Sequence, residues 1–288
     1  MRNRPIPTFL LSTLLISSVF YFLIIRSGHM SGGWGGYVAG LMWSPGVAAM
    51  LTCKLSGCKW STLGWHWGSG RYEVICYVIP LTYSALIYGA VWLSGLGGFY
   101  DHSFVKRLVE SFGLGSLPPW AAIVLYFLFT ATFAVIRGTA TVLGEEIGWR
   151  GFLVPEFAKT HSFLTTAVVT GLIWAVWHYP VILFADYRSE TPVWFYVPVL
   201  TLTIPLLNFV WTWMRLKTGS IWPGVILHAA HNTFIQTFFD PLTVHHKATN
   251  YVATEFGAAL LAIAALLAVY FYSRRSELQE LSNAATLH

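Results

Sequence analysis

The segment TVLGEEIGWRGFL, residues 141–153, places two adjacent glutamates and an arginine at the end of a long apolar run. A charged side chain at the centre of a membrane helix costs about 2.5–3.5 kcal/mol on insertion scales, so such groups need partners or a use. Glu146 and Arg150 are four apart, one helical turn, and can pair. Glu145 is turned about 100° from Glu146 and is left to point into whatever the helix packs against. A carboxylate without a charged partner in apolar surroundings suits a general base. Two later apolar stretches carry further polar groups. GLIWAVWHYP (171–180) sets Trp174 and His178 one turn apart, and GVILHAAHNTF (224–234) does the same for His228 and Asn232, with His231 on the neighbouring edge. A carboxylate, imidazoles and an amide can activate water and stabilise an oxyanion, the needs of peptide hydrolysis. The same Glu145, His178 and His228 are also the residue types of a zinc site with an open position.

The elements that must position these groups follow from composition. The 288 residues are 56% hydrophobic and 10% charged, with 14 Trp, 14 Tyr and 20 Phe. A soluble chain carries about 25% charged residues, so this composition indicates a membrane protein built of spanning helices. The net charge of +5 and pI near 9.1 come from single basic residues scattered between apolar runs, which argues for membrane topology and against a nucleic-acid surface. Cys53, Cys58 and Cys76 lack zinc spacing and read as small residues in or beside helices, with reversible lipidation of Cys53 or Cys58 the lesser reading. The closing ATLH holds no cysteine for prenylation. The basic start and apolar run to about Ile25, with no cleavage signal after it, predict a retained first helix.

At about 20 residues per crossing, the apolar runs predict eight spans near 8–25, 34–53, 72–97, 119–143, 162–185, 193–214, 220–239 and 253–272. The expected fold is an all-α transmembrane bundle forming one membrane domain over 1–288, with a motif-bearing core at 119–240. Segments 59–73 and 100–113 are expected as amphipathic pieces at the interface. If the N-terminus is cytosolic, that side holds Arg2, Arg4, Lys54, Lys59, Arg71, Arg150, Lys159, Arg215, Lys217, Arg274 and Arg275, which is 11. The other side holds Arg26, Lys106, Arg107, Arg188 and Lys247, which is 5; Arg137 lies within a span. This split predicts that both termini are cytosolic.

GEEIGWRGFL resembles the EExxxR motif of the CAAX prenyl protease and bacteriocin-processing family of intramembrane proteases. WAVWH is similar to the family's FxxxH motif and HAAHN to its HxxxN motif, in the family's order. Trp174 replaces the usual Phe, an exchange expected to matter little. The resemblance implies an eight-helix intramembrane endopeptidase with its cavity open to the cytosol. By position, Glu145 would activate water, His178 and His228 would complete the catalytic centre, and Asn232 would hold the oxyanion. Glu146 and Arg150 would hold the geometry, with Trp174 and His231 in support. The family's metal question stays open here: either no cofactor, or one zinc ion on Glu145, His178 and His228. Expected partners are membrane lipid and a peptide or lipidated protein substrate, prenylated or bacteriocin-like, and no nucleic acid. The membrane would be the cell membrane in a prokaryote or the endoplasmic reticulum in a eukaryote. Two other classes use the same groups: a non-catalytic bacteriocin-immunity or binding protein, and a small-molecule transporter. The transporter is disfavoured by the lack of paired Gly/Pro-broken helices in matching halves.

Overall fold

The computed structural model describes residues 5–113 and 117–278. Arg2, Arg4 and the closing ATLH lie outside the described residues. Helices occupy all eight of the expected stretches: α1 (Pro5–Ser27), α2 (Gly36–Ser56), α3 (Gly70–Ser94), then after the short α4 (His102–Ser111) a long α5 (Pro119–Ala158). These are followed by α6 (Phe163–Phe184), α7 (Val193–Thr218), α8 over 222–242 and α9 (Ala258–Ser273). Six of them, α1, α2, α3, α5, α6 and α7, are long and apolar enough to cross a membrane, and α9 is a shorter apolar helix. The protein is a multi-pass membrane protein of helical architecture.

Short connections make successive helices antiparallel, so the bundle has two ends. The loops at 57–69, 159–162 and 219–221 and the close of α9 share one end. The loops at 28–35, 95–101, 185–192 and 243–257 share the other. A two-residue pairing, Gly98 to Val244 and Phe99 to Thr243, ties the second end together. In that same end His245 sits 3.1 Å from Asp240 and 2.6 Å from Asn250, and the bond to Asp240 leads in pushing its pKa up to about 9. The raised value means that this contact stabilises fully below the unfolded value near 6.5 and is lost as pH rises through 9. Hydrogen exchange at 245–252 should therefore quicken between pH 7 and 10 beyond the chemical rate, and a His245→Ala variant should lack that step.

Two expectations for the connecting segments change. Segment 100–113 does form an amphipathic helix, capped by Asp101, whose carboxylate accepts from the Phe104 N–H at 2.7 Å. Segment 59–73 does not, because Gly64 and Gly68 take positive φ and leave only a single 3₁₀ turn at Trp60–Leu63 before α3 begins. The cysteine reading is corrected as well. Cys53 and Cys58 form a disulfide across the end of α2, so neither is free for lipidation, and Cys76 alone is a buried thiol.

Candidate active site

The two glutamates are not at a helix end. The fourth span was expected to close near residue 143, but α5 runs on to Ala158, leaving Glu145 2% and Glu146 0% exposed in its interior. The helix continues because the turn at Ile147–Leu153 is a π-type turn, wider than the α-helix on either side. Another π stretch, Thr233–Phe239, directly follows Asn232 in α8. Two of the three motif-bearing helices, α5 and α8, thus open a wide turn immediately after Glu146 and Asn232 respectively, a placement that π-bulges often take at functional sites.

Close packing seats the glutamates. A Cβ on Gly144 would come 2.4 Å from the Trp43 Cα, and one on Gly148 would come 2.4 Å from Pro45 Cβ. Only glycine lets α5 approach α2 this closely on both sides of the pair. The Gly144-x-x-x-Gly148 spacing was readable as a small-residue contact face.

Within that seat, Arg150 Nη1 donates to Glu146 Oε1 at 2.8 Å, both side chains being almost fully buried. Its Nη2 donates to Asn208 Oδ1 at 3.1 Å, and its guanidinium lies 4.0 Å over the Trp174 ring and 4.8 Å over Trp211. Asn208 is fixed in turn by donating to the Ala167 carbonyl and to Thr170 Oγ1, each at 2.8 Å. Planar guanidinium suits this fork-and-stack arrangement, which an ammonium would not fill. His228 Nδ1 lies 2.9 Å from the same Glu146 Oε1. Glu146 therefore joins Arg150 to His228, and a proton on Nδ1 leaves the His228 Nε2 lone pair free.

Glu145 is held differently. It makes no ion pair among the described residues, but its Oε2 accepts from Trp174 Nε1 at 2.8 Å. That corrects the expectation that Trp174 in place of Phe would matter little, since phenylalanine has no N–H to give. The carbonyl of Trp174 also meets His178 Nδ1 at 2.8 Å. One residue thus orients both a carboxylate and an imidazole. His231 is tied to the Tyr83 hydroxyl, while the Asn232 amide has no hydrogen-bond partner among the described residues.

These groups converge on two adjoining cavities. A larger one of about 460 Å³ is lined by Glu145, His178, His228 and Asn232, with Met30 and Gln236 nearer its mouth. A small one of about 50 Å³ lies among His178, His228, His231, Asn232 and Glu255. Glu255, which the sequence did not single out, accepts from Tyr187 at 2.7 Å and from Gln236 at 3.0 Å. Asn208, Trp211 and Glu255 lie outside the sequence motifs. An amide in mid-helix and a lone acid in a loop were the only signals they offered.

The larger cavity reaches residues such as Met30, Ser31 and Gly35, so it opens at the end bearing the loop 28–35. Among the described residues, that end carries Arg26, Lys106, Arg107, Arg188 and Lys247, which is 5, against 8 at the other, because Arg150 proves to be buried within α5. The charge split and a cavity open to the cytosol, both expected above, are therefore incompatible. If the more basic end is cytosolic, the cavity faces away from the cytosol.

The zinc version can be tested against the donors. No three His, Cys, Asp or Glu side chains among the described residues are grouped to hold a metal ion. Glu145 Oε1 and the Nε2 atoms of His178 and His228 are left free by their hydrogen bonds, but the three side chains are not drawn together closely enough to close into a three-ligand site. The arrangement does supply a carboxylate, two oriented imidazoles and a free amide around one space.

Comparison with known proteins follows the same residues. Positions 120–234 match the family described as Type II CAAX prenyl endopeptidase Rce1-like. The chain is 25% identical over 129 residues to CAAX prenyl protease 2 of Methanococcus maripaludis, covering 43% of each chain. It is 30% identical over 113 residues to the uncharacterized protein YyaK of Bacillus subtilis, covering 39% of this chain and 35% of that one. The matched stretch thus spans less than half the length of either relative.

Proposed function

We propose, from the similarity of residues 120–234 to the Rce1-like CAAX prenyl endopeptidase family, that this chain is an intramembrane endopeptidase of that kind acting on membrane-delivered peptides. The observation that carries this reading is the convergence of Glu145, His178, His228 and Asn232 on one cavity that opens out of the bundle. Glu145 takes the proton from water as the hydroxide attacks the peptide carbonyl. Trp174 holds that carboxylate in place. The Asn232 amide, without another partner, donates to the oxyanion as it forms. His228, oriented by Glu146, and His178, oriented by the Trp174 carbonyl, present their second nitrogens to the cavity for proton return to the leaving amine.

Orientation selects the substrate. With the more basic end in the cytosol, the cavity mouth lies at the opposite leaflet, and an exported peptide of the bacteriocin type is the fitting substrate. The Cys53–Cys58 disulfide argues for the reverse orientation, since disulfides persist in oxidising compartments. In that case a cytosolic prenylated C-terminus would reach the mouth. The charge split rests on many residues in separate loops and is the stronger cue. Reporter fusions after Ser276 and at Lys106 are expected to report opposite sides, Ser276 inside. Ser276 outside would transfer the proposal to the prenylated class, and both on one side would remove the layout.

Purified protein in vesicles should cleave a membrane-delivered peptide, and the choice between a farnesylated and an unmodified peptide should follow the reporter result. Thorough chelation should leave that rate unchanged. Activity lost to a chelator and restored by zinc at about one ion per chain would overturn the metal-free mechanism.

A further inference from the structure

One buried acid away from this site has no assigned use. Glu73, in the first turn of α3, is 5% exposed, and neither of its carboxylate oxygens has a hydrogen-bond donor from another residue among the described residues. The acids of the site each have a partner: Glu145 in Trp174, Glu146 through its Oε1 in Arg150 and His228, and Glu255 in Tyr187 and Gln236. An enclosed carboxylate without donors is costly, and the cost is lifted only by a partner that brings positive charge and N–H groups.

The surroundings define that partner. Glu73 lines a separate cavity of about 520 Å³ between α3, α5 and α8. Three aromatic residues line it: Trp67, Tyr77 and Trp222, with the two indoles 5.4 Å apart. The polar atoms of Tyr77 and Trp222 do not serve the acid, since the Tyr77 hydroxyl donates to the Ala131 carbonyl at 2.6 Å and Trp222 Nε1 to the Trp65 carbonyl at 2.8 Å. What they offer is ring surface, which attracts cations. The remaining wall is apolar but for Thr132 and Thr139, whose hydroxyls donate to the Leu128 and Ile136 carbonyls, and Val74 and Ile136 in it are 62% and 66% exposed, so the cavity opens on the side of the bundle that faces acyl chains.

We propose that this cavity binds a phospholipid with a primary ammonium headgroup, the ammonium on Glu73 among Trp67, Tyr77 and Trp222 and an acyl chain along Val74 and Ile136. The two unserved oxygens select the chemistry. A primary ammonium brings three N–H donors, whereas a quaternary one brings the charge and no donor. A divalent metal would meet a single carboxylate and aliphatic walls where it needs six or more oxygens. The opening towards acyl chains favours a lipid over a lysine from another protein. Its height also fits, because indoles gather at the headgroup level and this end of the bundle carries Trp60, Trp65, Trp67 and Trp222.

The test reads lipid retention and needs no catalysis, so it stands apart from the protease reading. The full chain is reconstituted in an equal mixture of phosphatidylethanolamine and phosphatidylcholine with matched acyl chains, then released in mild detergent for native mass spectrometry. The wild type is expected to retain the primary ammonium lipid by roughly tenfold, the worth of one hydrogen bond to a charged group, and the preference should fall stepwise with N-methylation. Glu73→Gln should bring it to about one. Should that variant fail to fold, Trp67→Ala, at an exposed loop position, should reduce the preference several-fold in folded protein. Equal retention of the two lipids by the wild type, or an unchanged preference in a folded Glu73→Gln or Trp67→Ala variant, would overturn the proposal. So would binding of a lysine peptide to the cavity with no headgroup preference.

Discussion

Glu145→Gln is expected to slow peptide cleavage by at least the roughly 10²–10⁴-fold typical of removing a general base. The substitution keeps shape, and its amide oxygen still accepts from Trp174 Nε1, the bond that Glu145 makes at 2.8 Å. No ion pair is broken, so folding and substrate binding should be unchanged and the loss should appear in kcat. Asn232→Ala should cost a comparable factor, about 10²–10³, through the oxyanion. Trp174→Phe separates orientation from chemistry. It keeps an aromatic ring beside Arg150 but removes the N–H, and a loss of roughly tenfold is expected. A folded Glu145→Gln variant with near-normal turnover would sink the glutamate mechanism. If the wild type cleaves nothing and Glu145→Gln still protects cells from a peptide toxin, the immunity-protein reading takes its place.

The second large effect is on stability. Arg150→Met should destabilise the protein by about 3–5 kcal/mol, because it leaves Glu146 buried with only His228 as a partner. Methionine keeps apolar volume between Trp174 and Trp211, so the measurement weighs mainly the charge. Glu146→Gln should also be costly, since it strands the guanidinium between Asn208 and two indoles. The double variant should lose less than the sum of the singles by at least about 1 kcal/mol. Unfolding in mixed detergent gives all four corners of the cycle. Additive losses would mean that the 2.8 Å contact contributes nothing to the fold.

The two predictions differ in how much of each could be read from the chain. The Glu146–Arg150 pair is local: four residues on one helix place the side chains within reach whatever else the chain does. The helical architecture was equally accessible, because a bilayer admits only elements that satisfy their own backbone, and apolar runs of about 20 residues have few alternatives to helix. The motif residues Glu145, His178, His228 and Asn232 were identified from polar types in apolar runs, and from resemblance, before any contact was known.

Contacts between helices were not legible in this way. Nothing local says that Trp174, 29 positions from Glu145, gives it a hydrogen bond, or that Asn208 anchors Arg150 from another helix. Nor does it say that Glu146 is shared with His228 across 82 residues. The continuation of α5 past residue 143 was missed because the span was bounded by the length of its apolar run, and Glu145, Glu146 and Arg150 interrupt that run although partners on other helices let the helix carry them buried. The direction in which the cavity opens was also beyond reach, since it depends on which ends of α2, α6 and α8 leave a gap when packed. Residue type and short spacing determined the helices and the pair within one of them. Partnership between groups far apart in sequence, the widened turns and the mouth of the cavity were decided by tertiary packing, because only the packed bundle sets the distances between side chains on different helices.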